Sequence, residues 1–221
     1  IISGAFGVFS RAVALEIGGY RRDTVGEDMD LVVRMHRRLR ETRRPYRILF
    51  VPDPVCWTEV PSALATLARQ RRRWQKGLLD VLWRNRRMML NPRYGLPGLV
   101  AFPYQVFVEL LGPVVELVGI AAIAASAAWG ILGSSALLYM LLVGYLAGTC
   151  ISVAAVLLEE LTFRRYASLG ELLRLLGYAF LDFFPYRQFL LVCRVLGMLD
   201  YLRRPKQWGA QRRTGFSPVK A

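Results

Sequence analysis

The chain has 221 residues, 54% of them hydrophobic, with 30 Lys and Arg against 16 Asp and Glu and a formal net charge of +14. That apolar content excludes a disordered chain, which would be apolar-poor. The charge is uneven: residues 1–97 hold 19 basic and 9 acidic side chains, whereas 98–158 hold no Lys or Arg and only Glu109 and Glu116. The pattern reads as a basic module followed by a membrane module. A basic excess beside hydrophobic spans is the charge of cytoplasmic loops facing anionic lipid, which argues against nucleic acid as the partner.

Cys56, Cys150 and Cys193 are odd in number and widely spaced, the pattern of buried thiols rather than of a disulfide framework or a zinc site. The chain opens Ile1-Ile2-Ser3, without Met or a signal peptide, as expected of an internal piece of a longer protein.

In chain order, the apolar run 1–9 (IISGAFGVF) reads as a buried strand with a tight loop at Ser3-Gly4. Ser10 is placed to cap a short helix, SRAVALEI, which Gly18-Gly19 ends. A second helix follows in TVGEDMDLVVRMHRRLRE. Its Leu31, Val32, Met35 and Leu39 recur at helical spacing, Arg34 and the other basic residues lie elsewhere on its surface, and Glu27, Asp28 and Asp30 crowd the end that favours negative charge. YRILFVP and VCWTEV read as strands around Pro52-Asp53-Pro54. Strand, helix and strand in this order suggest half of an α/β sheet domain.

From about Ala63 to Leu90 the spacing predicts a basic amphipathic helix. Leu64, Leu67, Trp74, Leu78 and Leu82 form its apolar side, and such a helix can lie along a membrane surface. Residues 98–128 are long enough to span a bilayer, with Pro103 and Pro113 kinking or dividing them, and 136–158 form a second span. The stretch 172–202 contains Asp182, Arg187 and Arg194 and is interrupted at Pro185. It reads as a broken interfacial or re-entrant hairpin with a basic tail in the cytosol, or else as one kinked span. Glu109 and Glu116 share a helix face and are placed to line a polymer path, to pair with Arg187 or Arg194, or to sit at headgroup level; Asp182 and Arg187 are a further candidate pair.

Two groups of residues carry the chemistry. The first is the carboxylate pair Glu27-Asp28; alone, it reads better as helix N-terminal acids. The second is Gln70-Arg71-Arg72-Arg73-Trp74, in which Gln70, Arg73 and Trp74 share one helix face. Arginine offers a fixed donor fork to phosphate oxygens, and an indole face can stack on a sugar ring. Arg71 and Arg72 read as a solvated or lipid-facing surface, and His36 as a surface residue.

SGAFG, GGY, GED, CWTEVP and QRRRW, followed by apolar spans, together resemble the processive, membrane-integrated family 2 glycosyltransferases, a group that includes cellulose, hyaluronan, chitin and poly-N-acetylglucosamine synthases. The resemblance implies the C-terminal part of a GT-A domain over 1–61, an interface helix with QRRRW over 62–97, and transmembrane and interfacial helices with a basic cytosolic tail over 98–221. It also implies inverting transfer from a UDP-sugar, N-acetylglucosamine or glucose, to a growing polysaccharide at the cytosolic membrane face, with accessory export subunits as further partners. By the same resemblance Asp28 is the general base, and Glu27, Gln70, Arg73, Trp74, Ser3 and Gly4 contact substrate, with Trp57 and Glu59 at the border. A divalent metal, Mg2+ or Mn2+, would be held by a D-x-D upstream of residue 1, so this chain alone would be inactive. A non-processive transferase with a lipid-linked acceptor and a non-catalytic membrane scaffold are the alternatives.

Overall fold

The computed structural model describes residues 6–49, 51, 56, 58–163 and 168–203. Ser3, Gly4, Pro52, Asp53, Pro54, Trp57, Arg164, Arg165 and the basic tail after Arg203 lie outside the described residues.

Within them the chain is helical. Helix α1 (Arg11–Glu16) is closed by Gly18 and Gly19, both at positive φ (81° and 66°), with the Gly19 N–H donating to the Ala14 carbonyl at 2.8 Å. Ser10 stands at its N-cap but its side chain makes no cap bond there. Helix α2 (Glu27–Glu41) buries Met29, Leu31, Val32 and Leu39, and α3 (Leu64–Arg84) is followed by tight turns at Arg86–Met88 and Pro92–Tyr94. A segment of π turns around one α turn, 97–110 (α4), leads to α5 (Gly112–Ala128) and α6 (Ser134–Phe163). After α7 (Leu169–Leu181) the backbone leaves helical geometry at Phe184 (φ −144°, ψ 128°), just before Pro185, and resumes as α8 (Arg187–Arg203).

The expectation of an α/β, GT-A sheet is overturned: no strand is present among the described residues. A strand exists only where a neighbour accepts and donates its ladder hydrogen bonds, and none lies beside the described residues of these segments. Val8, Ile48, Leu49, Val51 and Val60 stay 52–85% exposed in extended or irregular backbone. Short apolar runs signal a wish for burial; they cannot supply the partner.

Packing divides the chain into two compact units. One runs to Pro113 and takes the chain in again from Cys193; the other is Val114–Val192. The core of the first joins Met29 of α2, Val81 and Leu82 of α3, Met88, Tyr94 and Phe102. Each such side chain contributes about 1.5–3 kcal/mol by leaving water. The apolar side assigned to α3 is displaced. Leu64 and Trp74 are exposed, while the polar Gln75 and Asp80 are 4% exposed. Cys56 and Cys150 are exposed, not buried; Cys193 is buried.

Pro113 explains a junction in this first unit. It has no N–H, so the Glu109 carbonyl one turn back lacks its helical donor. That carbonyl instead accepts from Arg194 and, at 3.4 Å, from the Gln75 side-chain amide. The Glu109 carboxylate pairs with Arg194 at 3.0 Å.

In the second unit, Arg187 pairs with Glu116 at 3.0 Å rather than with Asp182, whose carboxylate accepts from the Ser152 hydroxyl at 2.7 Å. The ring of Phe183 lies against Gly148: a Cβ there would fall 2.0 Å from its Cδ2. Pro97–Ala128 and Ser134–Phe163 are each long and apolar enough to cross a membrane, with 6% and 11% of their most apolar windows buried in the protein.

Candidate functional site

Glu27 and Asp28 occupy the first turn of α2, both partly buried, with Asp28 Oδ1 accepting from the Met29 N–H at 2.8 Å. Two contacts hold this helix end against α3. The backbones meet at Gly26 and Gly77, where a Cβ on either residue would stand 3.1 Å from the other's Cα. Asp23, in the preceding loop, takes a hydrogen bond from Arg84 at 2.8 Å. Gly77 follows Gln70, Arg73 and Trp74 at the next position of the same helical stripe, i, i+3, i+4, i+7. The residue just before the carboxylate pair therefore meets α3 at Gly77, the position after Trp74 along that stripe.

Within that stripe, Trp74 is 51% exposed and the Arg71 guanidinium lies 4.5 Å from its ring centroid, on one face of the indole. Arg71 is thus an indole partner, and Arg72, with a side chain 39% exposed, is an ion-pair partner as well. Its guanidinium donates twice to Asp200 of α8, both bonds at 2.8 Å.

Sequence reasoning missed a buried anchor in the helix of Asp28. Asp30, fully buried, accepts from Arg34 Nε at 2.6 Å, and the same guanidinium reaches the carbonyls of Ile17 and Gly19, each at 2.6 Å. The positive-φ glycines aim these carbonyls at one cation, tying the Gly-Gly-Tyr turn to α2. Arg34, expected on the surface of α2, is buried. An acid and a base four residues apart, bracketing the apolar Leu31 and Val32, were the available signal. His36 is not simply exposed: its Nδ1 lies 2.6 Å from the Tyr46 hydroxyl, and burial first, then nearby positive charge including Arg40, holds its pKa below the ordinary imidazole value.

A divalent cation is implied by the resemblance. Among the described residues no three His, Cys, Asp or Glu side chains gather as a metal-holding group, so the residues here do not fit one.

Comparison with known proteins identifies the class. Glycosyl transferase family group 2 matches residues 1–158, well over half of the chain, and the chain belongs to that family. Poly-beta-1,6-N-acetyl-D-glucosamine synthases of Staphylococcus aureus (strain COL) and Staphylococcus epidermidis (strain ATCC 35984) are 34% and 31% identical to it over 84 residues. The matched stretch is 38% of this chain and 19% of each synthase, about a fifth of their length. No solved structure matches.

Proposed function

We propose that the chain contributes the general base and the phosphate- and sugar-contacting helix of an inverting glycosyltransferase. The enzyme moves N-acetylglucosamine from its UDP derivative onto the growing end of a polysaccharide at the cytosolic face of a membrane. The observation that supports this reading is the Gly26–Gly77 contact, in which the residue just before Glu27 and Asp28 meets the helix that carries Gln70, Arg73 and Trp74. N-acetylglucosamine is the sugar named in the matched synthases, and the two span-length apolar helices support the membrane setting.

In the step, the acceptor hydroxyl oxygen bonds to the sugar C1 while the bond from C1 to the diphosphate oxygen breaks. The hydroxyl proton passes to the Asp28 carboxylate, and UDP departs with the bonding electrons. Arg73 and the Gln70 amide stabilise the charge gathering on the diphosphate, as preorganised donors do best where water is excluded. Trp74 presents the face not covered by Arg71 to the acceptor sugar, holding its hydroxyl in line.

The test is turnover of radiolabelled UDP-N-acetylglucosamine by the full-length protein reconstituted in lipid. Loss of a general base costs roughly 10²–10⁴-fold, so Asp28→Asn should reduce polymer synthesis on that scale. Near-normal synthesis by this variant removes Asp28 from the mechanism.

A further inference from the structure

The QRRRW helix has two functional sides. Taking 100° per residue, Gln70, Arg73, Trp74 and Gly77 fall along one side of α3, and Arg72 and Gln75 along the opposite one. The second side is docked on α8. Arg72 makes its paired bonds to Asp200. Gln75 receives a bond from Arg194 at 3.1 Å and donates to the Glu109 carbonyl at 3.4 Å. Between these two contacts stands Gly197, where a Cβ would meet the Arg72 carbonyl at 2.5 Å and the Gln75 Cβ at 3.0 Å. One turn further on, Tyr201 also donates to Asp80 of α3 at 3.4 Å, a contact outside that second side and near the phase of Arg73.

A helix held by carboxylate, amide and close backbone contact along one side cannot roll about its axis without breaking all three. Rolling matters because the opposite side carries the substrate contacts. At a side-chain radius of about 6 Å, a 20° roll displaces a tip by about 2 Å. Displacements near 1 Å can cost about 10²-fold in rate.

We propose that Arg72 and Gln75 are positioning residues: by docking the back of α3 on α8 they set the direction in which Arg73 and Trp74 face. The proposal rests on the glycosyl-transfer reading above.

It is tested in the full-length protein in lipid by reversing and exchanging the charges of the pair. Arg72→Asp and Asp200→Arg should each raise the KM for UDP-N-acetylglucosamine severalfold, lower kcat roughly tenfold or more, and shorten the polymer. The double exchange should restore all three. A merely structural role would lower only the yield of folded enzyme, leaving KM and product length unchanged; that result overturns the proposal, as does a folded double exchange without recovery. Arg69→Asp, the same charge change on an outward side chain of α3, should be neutral, and an equal loss there overturns it too. If the reversed variants do not fold, Gly197→Ala probes the same dock with every charge intact: reduced kcat with altered KM supports the proposal, and wild-type kinetics defeats it. A wild-type protein that consumes no nucleotide sugar defeats the glycosyl-transfer reading instead, an outcome distinct from any of these.

Discussion

Arg71, Arg72 and Arg73 are one residue type at three helical phases, and their surroundings separate them. Arg71 lies over the Trp74 ring, Arg72 binds Asp200, and Arg73 shares the stripe that ends at Gly77. Trp74 bears the sharpest consequence. An indole that stacks on the acceptor holds the sugar but not the water that would hydrolyse the donor. Trp74→Ala is therefore expected to depress polymer synthesis roughly 5- to 150-fold, the scale of about 1–3 kcal/mol per stacked ring, while donor hydrolysis falls less; equal losses in a parallel assay of UDP release and polymer would contradict the platform role. His36 bears on stability rather than chemistry. Its folded pKa lies below the unfolded value of 6.5, so the unfolded state takes up the proton first as pH falls. The stability associated with the neutral ring is complete above about pH 6.5 and declines below it toward the folded pKa. Denaturant titrations between about pH 5 and 7.5 should show this decline, and His36→Gln should flatten it; an unchanged slope would assign the effect elsewhere.

At the scale of elements, the determinants are places where two backbones touch. The Gly26–Gly77 approach is tight, since a Cβ would stand 3.1 Å from a backbone atom and the facing backbone would have to give by a few tenths of an ångström. Gly77→Ala should therefore cost about 1–3 kcal/mol of stability and lower kcat by displacing Asp28 from the stripe, whereas Gly119→Ala on α5, where nothing lies within 4 Å of the added carbon, should do neither. Chemical unfolding and UDP-sugar turnover measured on both variants decide this. Such contacts also mark the limit of what the sequence discloses. The helices α2 and α3, the grouping of Gln70, Arg73 and Trp74, the glycine stop after α1 and the break before Pro185 are all readable, because each depends on residues within a few turns. The pairing of Arg187 with Glu116 and of Arg194 with Glu109 was readable as one option, since a charge in an apolar segment needs a partner. Which side of α3 faces α8 was not, because Arg72 and Arg73 differ only in phase. The strands were misread for a related reason: YRILFVP has strand composition, but a ladder depends on a neighbour that its own letters do not name.

For the whole molecule, burial within the chain fails to account for its apolar content. A soluble core helix would bury most of its surface, yet the two span-length segments bury 6% and 11% of their windows. The membrane setting proposed above would give these thirty-residue apolar helices their cover. The protein should accordingly stay in the membrane pellet through high salt and alkaline carbonate and leave it only with detergent. Release by carbonate alone would mark it as peripheral and would remove the membrane from the proposed function. Belonging to glycosyl transferase family group 2 does not bear on that outcome, so the two conclusions stand or fall separately.

Pro113 illustrates how an omission can organise a structure. Because its ring nitrogen has nothing to donate, one oxygen on the turn before it is left to collect Arg194 and Gln75. Restoring the hydrogen, as Pro113→Ala would, supplies that oxygen with a local claimant and sets a rival against both distant side chains. A change that looks like the repair of a helix would on this account loosen the meeting point of three segments.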